Sequence, residues 1–178
     1  MDHLIQLGHQ RIAFISGPMW LESARIRHQA FTKDSASRTL LHYPGLIQEG
    51  NHKVDGGRDA MLRILDSGAK PTAVVASNDL TAIGAMGAIA ERRLRVPEDI
   101  SVIGFDNIQL SAYTQPPLTT ISLSRSEIAK AAFHALLHAR EGNSHKILQG
   151  KTYVVEPSMI IRSSTGPAPK KRKQVKKT

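Results

Sequence analysis

This sequence has no cysteine, which excludes disulfides, zinc–thiolate centres and thiol nucleophiles. A reducing compartment suits such a chain, and a cytoplasmic location is the expectation. Aromatic residues make up only 4% of 178, so aliphatic side chains must fill the core. No apolar run approaches the length of a membrane span, so no membrane partner is expected. The opening stretch MDHLIQLGHQRI has no long apolar centre of the kind a secretory signal needs. Catalytic signatures are missing as well. There is no phosphate-binding loop, no GxGxxG, no GxSxG and no HExxH, and the eight histidines are scattered. The chain therefore reads as a non-enzyme, with no catalytic residue, no metal site and no cofactor expected.

The remaining composition is that of a globular protein, with 40% hydrophobic and 22% charged residues. The length suits one or two domains. The net charge of +9 is unevenly placed. Residues 167–178, PAPKKRKQVKKT, hold six Lys/Arg and no acid; without them 18 basic residues face 15 acidic ones, or +3. Residues 165–178 are expected to form a disordered basic tail, because the stretch is broken by proline and poor in apolar groups. Such a tail either stays solvated or touches nucleic acid or anionic lipid through charge alone.

Residues 71–107 are the most informative. Two apolar, β-branched runs, AVVA and VIGF, lack alternation, as strands buried on both faces should. Between them a helix is predicted over residues 80–92, with Asp79 as its N-cap and arginines at its C-terminal end. This makes one βαβ crossover. Elsewhere, residues 4–7 close a helix stopped by Gly8, and residues 11–16 form a strand. A helix covers 25–32 with Ser23 as a candidate cap. Leu40 and Leu41 are assigned to a short strand, and 55–65 to a helix stopped by Gly68 and Pro71. Gly56 and Gly57 read as a flexible helix entry. Residues 108–113 form a turn or short helix. Ser124 and Glu127 have capping-box spacing and open a helix to about residue 140, followed by a loop over 141–146. Residues 153–156 and 159–162 are extended around Pro157. The alternation implies an α/β fold with a doubly wound parallel sheet.

Polar residues follow each strand of the crossover: Ser77, Asn78 and Asp79, then Asp106 and Asn107. Open parallel sheets bind ligands outside their carboxyl ends, so a ligand site is expected there. Carboxylate and amide groups suit sugar hydroxyls. The alternative is that these are turn and helix-entry residues, which is the favoured reading for Asp79.

The segments VVASNDLTAIGAM, LRVPEDISVIGFDN and PPLTTI, in this order and spacing, resemble the effector-binding domain of the lac-repressor/Gal-repressor (LacI/GalR) transcription factors. The likeness extends through HLIQLGHQRIAFISGP and SARIRHQAF and covers residues 2–164. It implies a periplasmic-binding-protein-like type I lobe, three layers deep (α/β/α), in a truncated form. By this likeness, residues 2–117 and 154–164 form the C-terminal lobe. Residues 118–150 are a crossover segment belonging to an incomplete first lobe, and the N-terminal helix-turn-helix has no counterpart.

The resemblance also implies roles. Asn78, Asp106 and Arg27 match positions that bind the effector. Arg27 otherwise reads as a solvated helix arginine. Ser16 and Trp20 flank the loop above the first strand, where Trp20 either stacks on a sugar or packs on the lobe edge. His52 stands where an aromatic often stacks on the ligand. Ala30 replaces a usual glycine, and Arg125 an often apolar cleft residue. The helix stripe Ile83, Met86 and Ile89, with Tyr113, is assigned to a homodimer interface, unless it packs on the sheet. The function implied is a small-molecule effector sensor, with a sugar as effector and operator DNA contacted only through the missing N-terminal domain. A transport-type sugar-binding protein of the same fold is the alternative, and an enzyme of unknown type has no residue set behind it.

Overall fold

A computed structural model describes residues 1–38, 40–41, 43–141 and 154–170. The order of elements is α1 (Asp2–Gln6), β1 (Ile12–Ser16), α2 (Glu22–Ser37), β2 (Ile47–Glu49), α3 (Val54–Asp66), β3 (Ala73–Ala76), α4 (Asp79–Glu91), β4 (Ser101–Phe105), a 3-10 turn (Gln109–Ala112), β5 (Thr119–Ser122), α5 (Arg125–Glu141) and β6 (Ser158–Ile160). The strands form one sheet in the order β2-β1-β3-β4-β5-β6. All pairs are parallel except β5–β6.

Strand residues alternate between two cores, because successive side chains point to opposite faces. Ala13, Ile15, Val74, Ala76 and Val102 face α3 and α4, packing with Ala60, Met61, Ile64, Ala82, Ala85, Ala88 and Ile89. Ile12, Phe14, Ala73 and Ile103 face the other way, onto Leu4 and Phe31. Phe14 and Phe31 stack with centroids 4.7 Å apart. Helices thus cover both sheet faces, giving a three-layer α/β/α lobe with a doubly wound, mostly parallel sheet. The scarcity of aromatics is met by alanine and Leu/Ile/Val packing on the α3–α4 side.

Several expectations are corrected. The second strand is Ile47–Glu49, not Leu40 and Leu41. Helix α2 begins at Glu22 with Leu21 as its cap, so Ser23 lies inside the helix and caps nothing. Thr119–Ser122, expected to open the crossover segment, is the fifth strand of the same sheet, paired parallel to β4. Gly57 is not an entry hinge. A Cβ there would stand 2.2 Å from the Thr81 carbonyl oxygen, and one on Gly84 would stand 1.9 Å from that of Val54. Both glycines let the α3 and α4 backbones touch.

The stripe Ile83, Met86 and Ile89 turns inward. Ile89 is fully buried, Met86 is buried, and Ile83 is half-buried against the same core. The start of the expected tail is docked. Thr165 hydroxyl bonds to His3, the Gly166 carbonyl accepts from the buried His9 ring and the Ser101 hydroxyl, and Ala168 N–H donates to Leu7. Residues 171–178, the loop expected at 142–146 and Tyr153 lie outside the described residues.

The glycine contacts generate a paired prediction. Gly84→Ala should destabilise by about 1–3 kcal/mol, since backbone must move. Gly87→Ala, exposed and with nothing near its would-be Cβ, should stabilise by about 0.5–1 kcal/mol through helix propensity. Urea unfolding of the two variants checks both signs.

Candidate functional site

Parallel strands point their carboxyl ends the same way, so whatever follows each strand collects on one rim. Here β1 ends at Ser16 and Gly17, β3 is followed by Ser77 and Asn78, and β4 by Asp106 and Asn107. The segment before α3 adds His52, and α2 contributes Arg27.

Arg27 is not a solvated helix arginine. Its Nη1 donates to the Ser77 carbonyl at 3.0 Å, and its guanidinium lies 4.1 Å from the centroid of the Phe105 ring. It therefore spans the ends of β3 and β4. Arg25 is exposed on another side of the helix.

Asn78, rather than Asp79, is the N-cap of α4. Its Oδ1 accepts from Thr81 N–H at 2.9 Å, while its Nδ2 donates to the His52 carbonyl at 3.0 Å. One N–H and one lone pair remain for other partners. Asp79 is the first helical residue and is fully buried. Its Oδ1 accepts from Thr120 Oγ1 at 2.5 Å and its Oδ2 from Ile108 N–H at 2.8 Å. The loss of water still pushes its pKa up against these bonds.

His52 has φ 61°, and its ring lies on Gly17, where a Cβ would stand 1.8 Å from Nε2. Only glycine permits that approach. Nε2 is buried and has no hydrogen-bond partner among the described residues. Burial first, and Arg27 second, lower its pKa, so the ring is held neutral.

Asp106 and Asn107 both have positive φ, 110° and 50°. Non-glycine residues held there cost on the order of 1–3 kcal/mol each. Asp106 is exposed at the rim. Partial loss of water raises its carboxyl pKa, and the charge of Arg27 opposes that rise.

The other expected residues are placed unequally. Ser16 is buried, with its hydroxyl donating to the Gly17 carbonyl at 3.0 Å, so it is not presented to solvent. Trp20 is 77% exposed and is not packed on the lobe edge. Tyr113 is 73% exposed beside the exposed Leu110. Ala30 lines a hollow with Arg27, Ser77 and Phe105. Arg125 donates to the Asn107 carbonyl at 3.3 Å and so reaches the rim. Arg162, missed as a site residue, donates to Asn107 Oδ1 at 2.8 Å. Among the described residues no group of three or more His, Asp or Glu stands ready to hold a metal, and no helix is long and apolar enough to cross a membrane.

In open α/β sheets ligands sit beyond the carboxyl ends of the strands, and hydrogen-bonding groups gather there in this lobe. The family model for the periplasmic binding protein-like domain matches residues 1–165. The chain therefore belongs to the periplasmic binding protein-like domain family, and the solved structures it resembles include LacI-family regulators. It is 40% identical over 164 residues to the HTH-type transcriptional repressor PurR of Histophilus somni (strain 2336), and 36% identical over 162 residues to PurR of Haemophilus influenzae (strain PittEE). Each match takes in 91% of this chain and 48% of the relative. The chain thus spans about half the length of these relatives. A sugar-binding transcriptional regulator of the LacI family from Escherichia coli, complexed with phosphate, superposes with TM-score 0.81 at 36% identity, over 94% of this chain and 58% of that one. A lac repressor dimer bound to operator and the anti-inducer ONPF gives 0.83 at 33% identity, over 93% and 56%.

The Asp106 carboxyl generates a pH prediction. Its folded-state pKa is raised, so its contribution to stability is present below the ordinary value of 3.8 and is lost as pH rises through the folded value. At pH 7 the ionised group costs stability. Asp106→Asn should raise the melting temperature slightly at pH 7, with the gain shrinking as pH falls toward 4. Calorimetric melts at both pH values measure this.

Proposed function

We propose that the chain is the effector-sensing part of a LacI/GalR-type transcriptional regulator, that it is not an enzyme, and that its effector is a sugar. The observation that carries this reading is the convergence of Arg27, His52, Asn78 and Asp106, from four separate segments, beyond the carboxyl ends of β1, β3 and β4. The set offers a guanidinium fork, an amide and a carboxylate, with the His52 ring packed on Gly17 beside them. These are donors and acceptors matched to hydroxyl groups on a non-ionic ligand. Two similar structures fit this reading, a sugar-binding LacI-family regulator and a CelR–cellobiose complex, the latter 26% identical with TM-score 0.81, over 92% of this chain and 49% of that one. The relatives are repressors rather than transport proteins, so the transport reading is not favoured. In the proposed role the protein works in the cytoplasm, needs no cofactor, and touches operator DNA through residues outside these 178. Effector binding then shifts the DNA-binding equilibrium by contacting two global states differently.

A sugar gripped by these residues alone is held on one side. Each missing hydrogen bond costs roughly 0.5–1.5 kcal/mol net, so several together cost orders of magnitude in affinity. Binding to the 178-residue chain should therefore be millimolar. Titration of mono- and disaccharides, cellobiose among them, should move the NMR signals of Arg27, His52, Asn78 and Asp106, and Asp106→Ala should remove the response. Shifts confined to other residues, or an unchanged response in the variant, contradict the assignment.

The proposed assembly is a homodimer, as in the lac repressor dimer structure. With Met86 and Ile89 occupied in the core, the apolar groups left for a partner near the expected interface are Tyr113, Leu110 and part of Ile83. Light scattering at tens of micromolar should give a dimer mass, and Tyr113→Asp with Leu110→Asp should shift it toward the monomer. A monomeric mass for the unaltered chain sinks this proposal.

A further inference from the structure

The turn that carries Asp106 is a conformational oddity. Two consecutive non-glycine residues are left-handed, and such backbone persists only where its surroundings over-determine it. Its restraints come from two sides. On one side, the fully buried Asp79 accepts from Ile108 N–H at 2.8 Å and from the Thr120 hydroxyl at 2.5 Å. That same hydroxyl accepts from Asn107 N–H at 3.4 Å. On the other side stands Arg162, in the segment following β6. Its Nη2 donates to Asn107 Oδ1 at 2.8 Å, and its Nη1 donates to the Leu118 carbonyl at 2.6 Å and the Ser111 hydroxyl at 3.1 Å.

We propose that Asp79 and Arg162 are positioning residues for the effector site, together clamping the Asp106–Asn107 turn in its left-handed form and so fixing how the Asp106 carboxylate is presented. The proposal rests on the reading that Asp106 meets the effector. Neither residue stands at the rim as a ligand group. Asp79 has no exposed surface, and three of the Arg162 N–H groups are directed to Asn107, Leu118 and Ser111. The geometry around them is built for the clamp. A Cβ on Gly104 would stand 2.2 Å from Asp79 Oδ1, so β4 needs glycine where the carboxylate passes. Arg162 suits its place because a planar fork serves several acceptors at once, which an ammonium cannot. The clamp joins segments far apart in sequence, so a change in β5 or β6 is felt directly at Asp106.

The test uses the 178-residue chain with Arg162→Met, Arg162→Lys and Asp79→Asn. Asp79→Asn keeps an acceptor for Ile108 but not for the Thr120 hydroxyl, so exchange at Asn107 should quicken in this variant, while that at Val74 and Ile103 should not. In Arg162→Met, amide exchange at Asn107 and Ile108 should quicken by about tenfold, the order expected for losing one good hydrogen bond. Exchange at Val74 and Ile103 in the central strands should not change, and the Asp106 carboxyl titration should move toward that of an ordinary aspartate. Arg162→Lys should fall between. Unchanged exchange at Asn107 and Ile108 overturns the proposal. So does a parallel rise at Val74 and Ile103, which marks a general loss of stability. None of these readouts needs a ligand. If cellobiose and the other saccharides leave the unaltered chain unmoved while the turn loosens as described, the sugar reading fails and the clamp stands. If saccharide-induced shifts survive unchanged in Arg162→Met despite a loosened turn, positioning fails.

Discussion

A carboxylate with no exposed surface must find donors inside the protein, and Asp79 finds them in Thr120 and in the backbone of Ile108. Hydrogen bonds donated to ionised acceptors are worth about 1.5–3 kcal/mol each. Here they do not recover the whole cost of leaving water, since the Asp79 pKa remains raised. What they secure is geometry. They tie the start of α4 to β5 and to the turn after β4, which carries Asp106. They also require glycine at 104 and a hydroxyl at 120. Asn78, next to Asp79, can then serve as the cap and reach across to His52.

The site gathers several strained or desolvated groups. Left-handed residues at 52, 106 and 107, an unpaired imidazole nitrogen and two carboxyls with raised pKa values lie within a few segments of one another. Each costs stability, and binding groups held ready before the ligand arrives commonly do. The offset lies below, in the two aliphatic cores and in the α3–α4 contact. There, glycines bring backbones together and alanines fill the space between helix and sheet. Rigidity there fixes where the segment before α3 delivers His52 relative to Asn78.

Much of this architecture could be read from the residues. The strand Ala73–Ala76 was marked to the residue by its β-branched run, and the strand ending at Phe105 nearly so. β2 could not be read. It is a three-residue edge strand with no fully buried residue, so its hydrophobic signal is weaker than that of Leu40 and Leu41 nearby. The exchange of roles between Asn78 and Asp79 was hidden for a different reason. Both residue types favour helix starts, and what separates them is donors 29 and 41 residues away. The same holds for Arg162, whose partners lie 44 to 55 residues upstream. Residues 165–168 read as tail by composition, yet their contacts are mainly backbone hydrogen bonds, on which composition is silent. The helical stripe of Ile83, Met86 and Ile89 shows the limit of periodicity: it marks a buried face without saying whether the sheet or another subunit covers it.

The placement of β5 and β6 gives the clamp a wider meaning. The chain leaves the sheet at the end of β5, runs through α5, and returns as β6 paired antiparallel to β5, with Ser122 opposite Ser158 and Thr120 opposite Ile160. Exit and return are therefore neighbours. Thr120 on the exit strand and Arg162 just beyond the return strand both hold the Asp106 turn. Any displacement of either strand therefore acts on the hydrogen bonds that hold this turn. Coupling between sites needs an element with two arrangements whose balance both sites bias. The strained turn held by these strands has the form such an element needs: ligand contact at Asp106 and any displacement of β5 or β6 act on the same few hydrogen bonds.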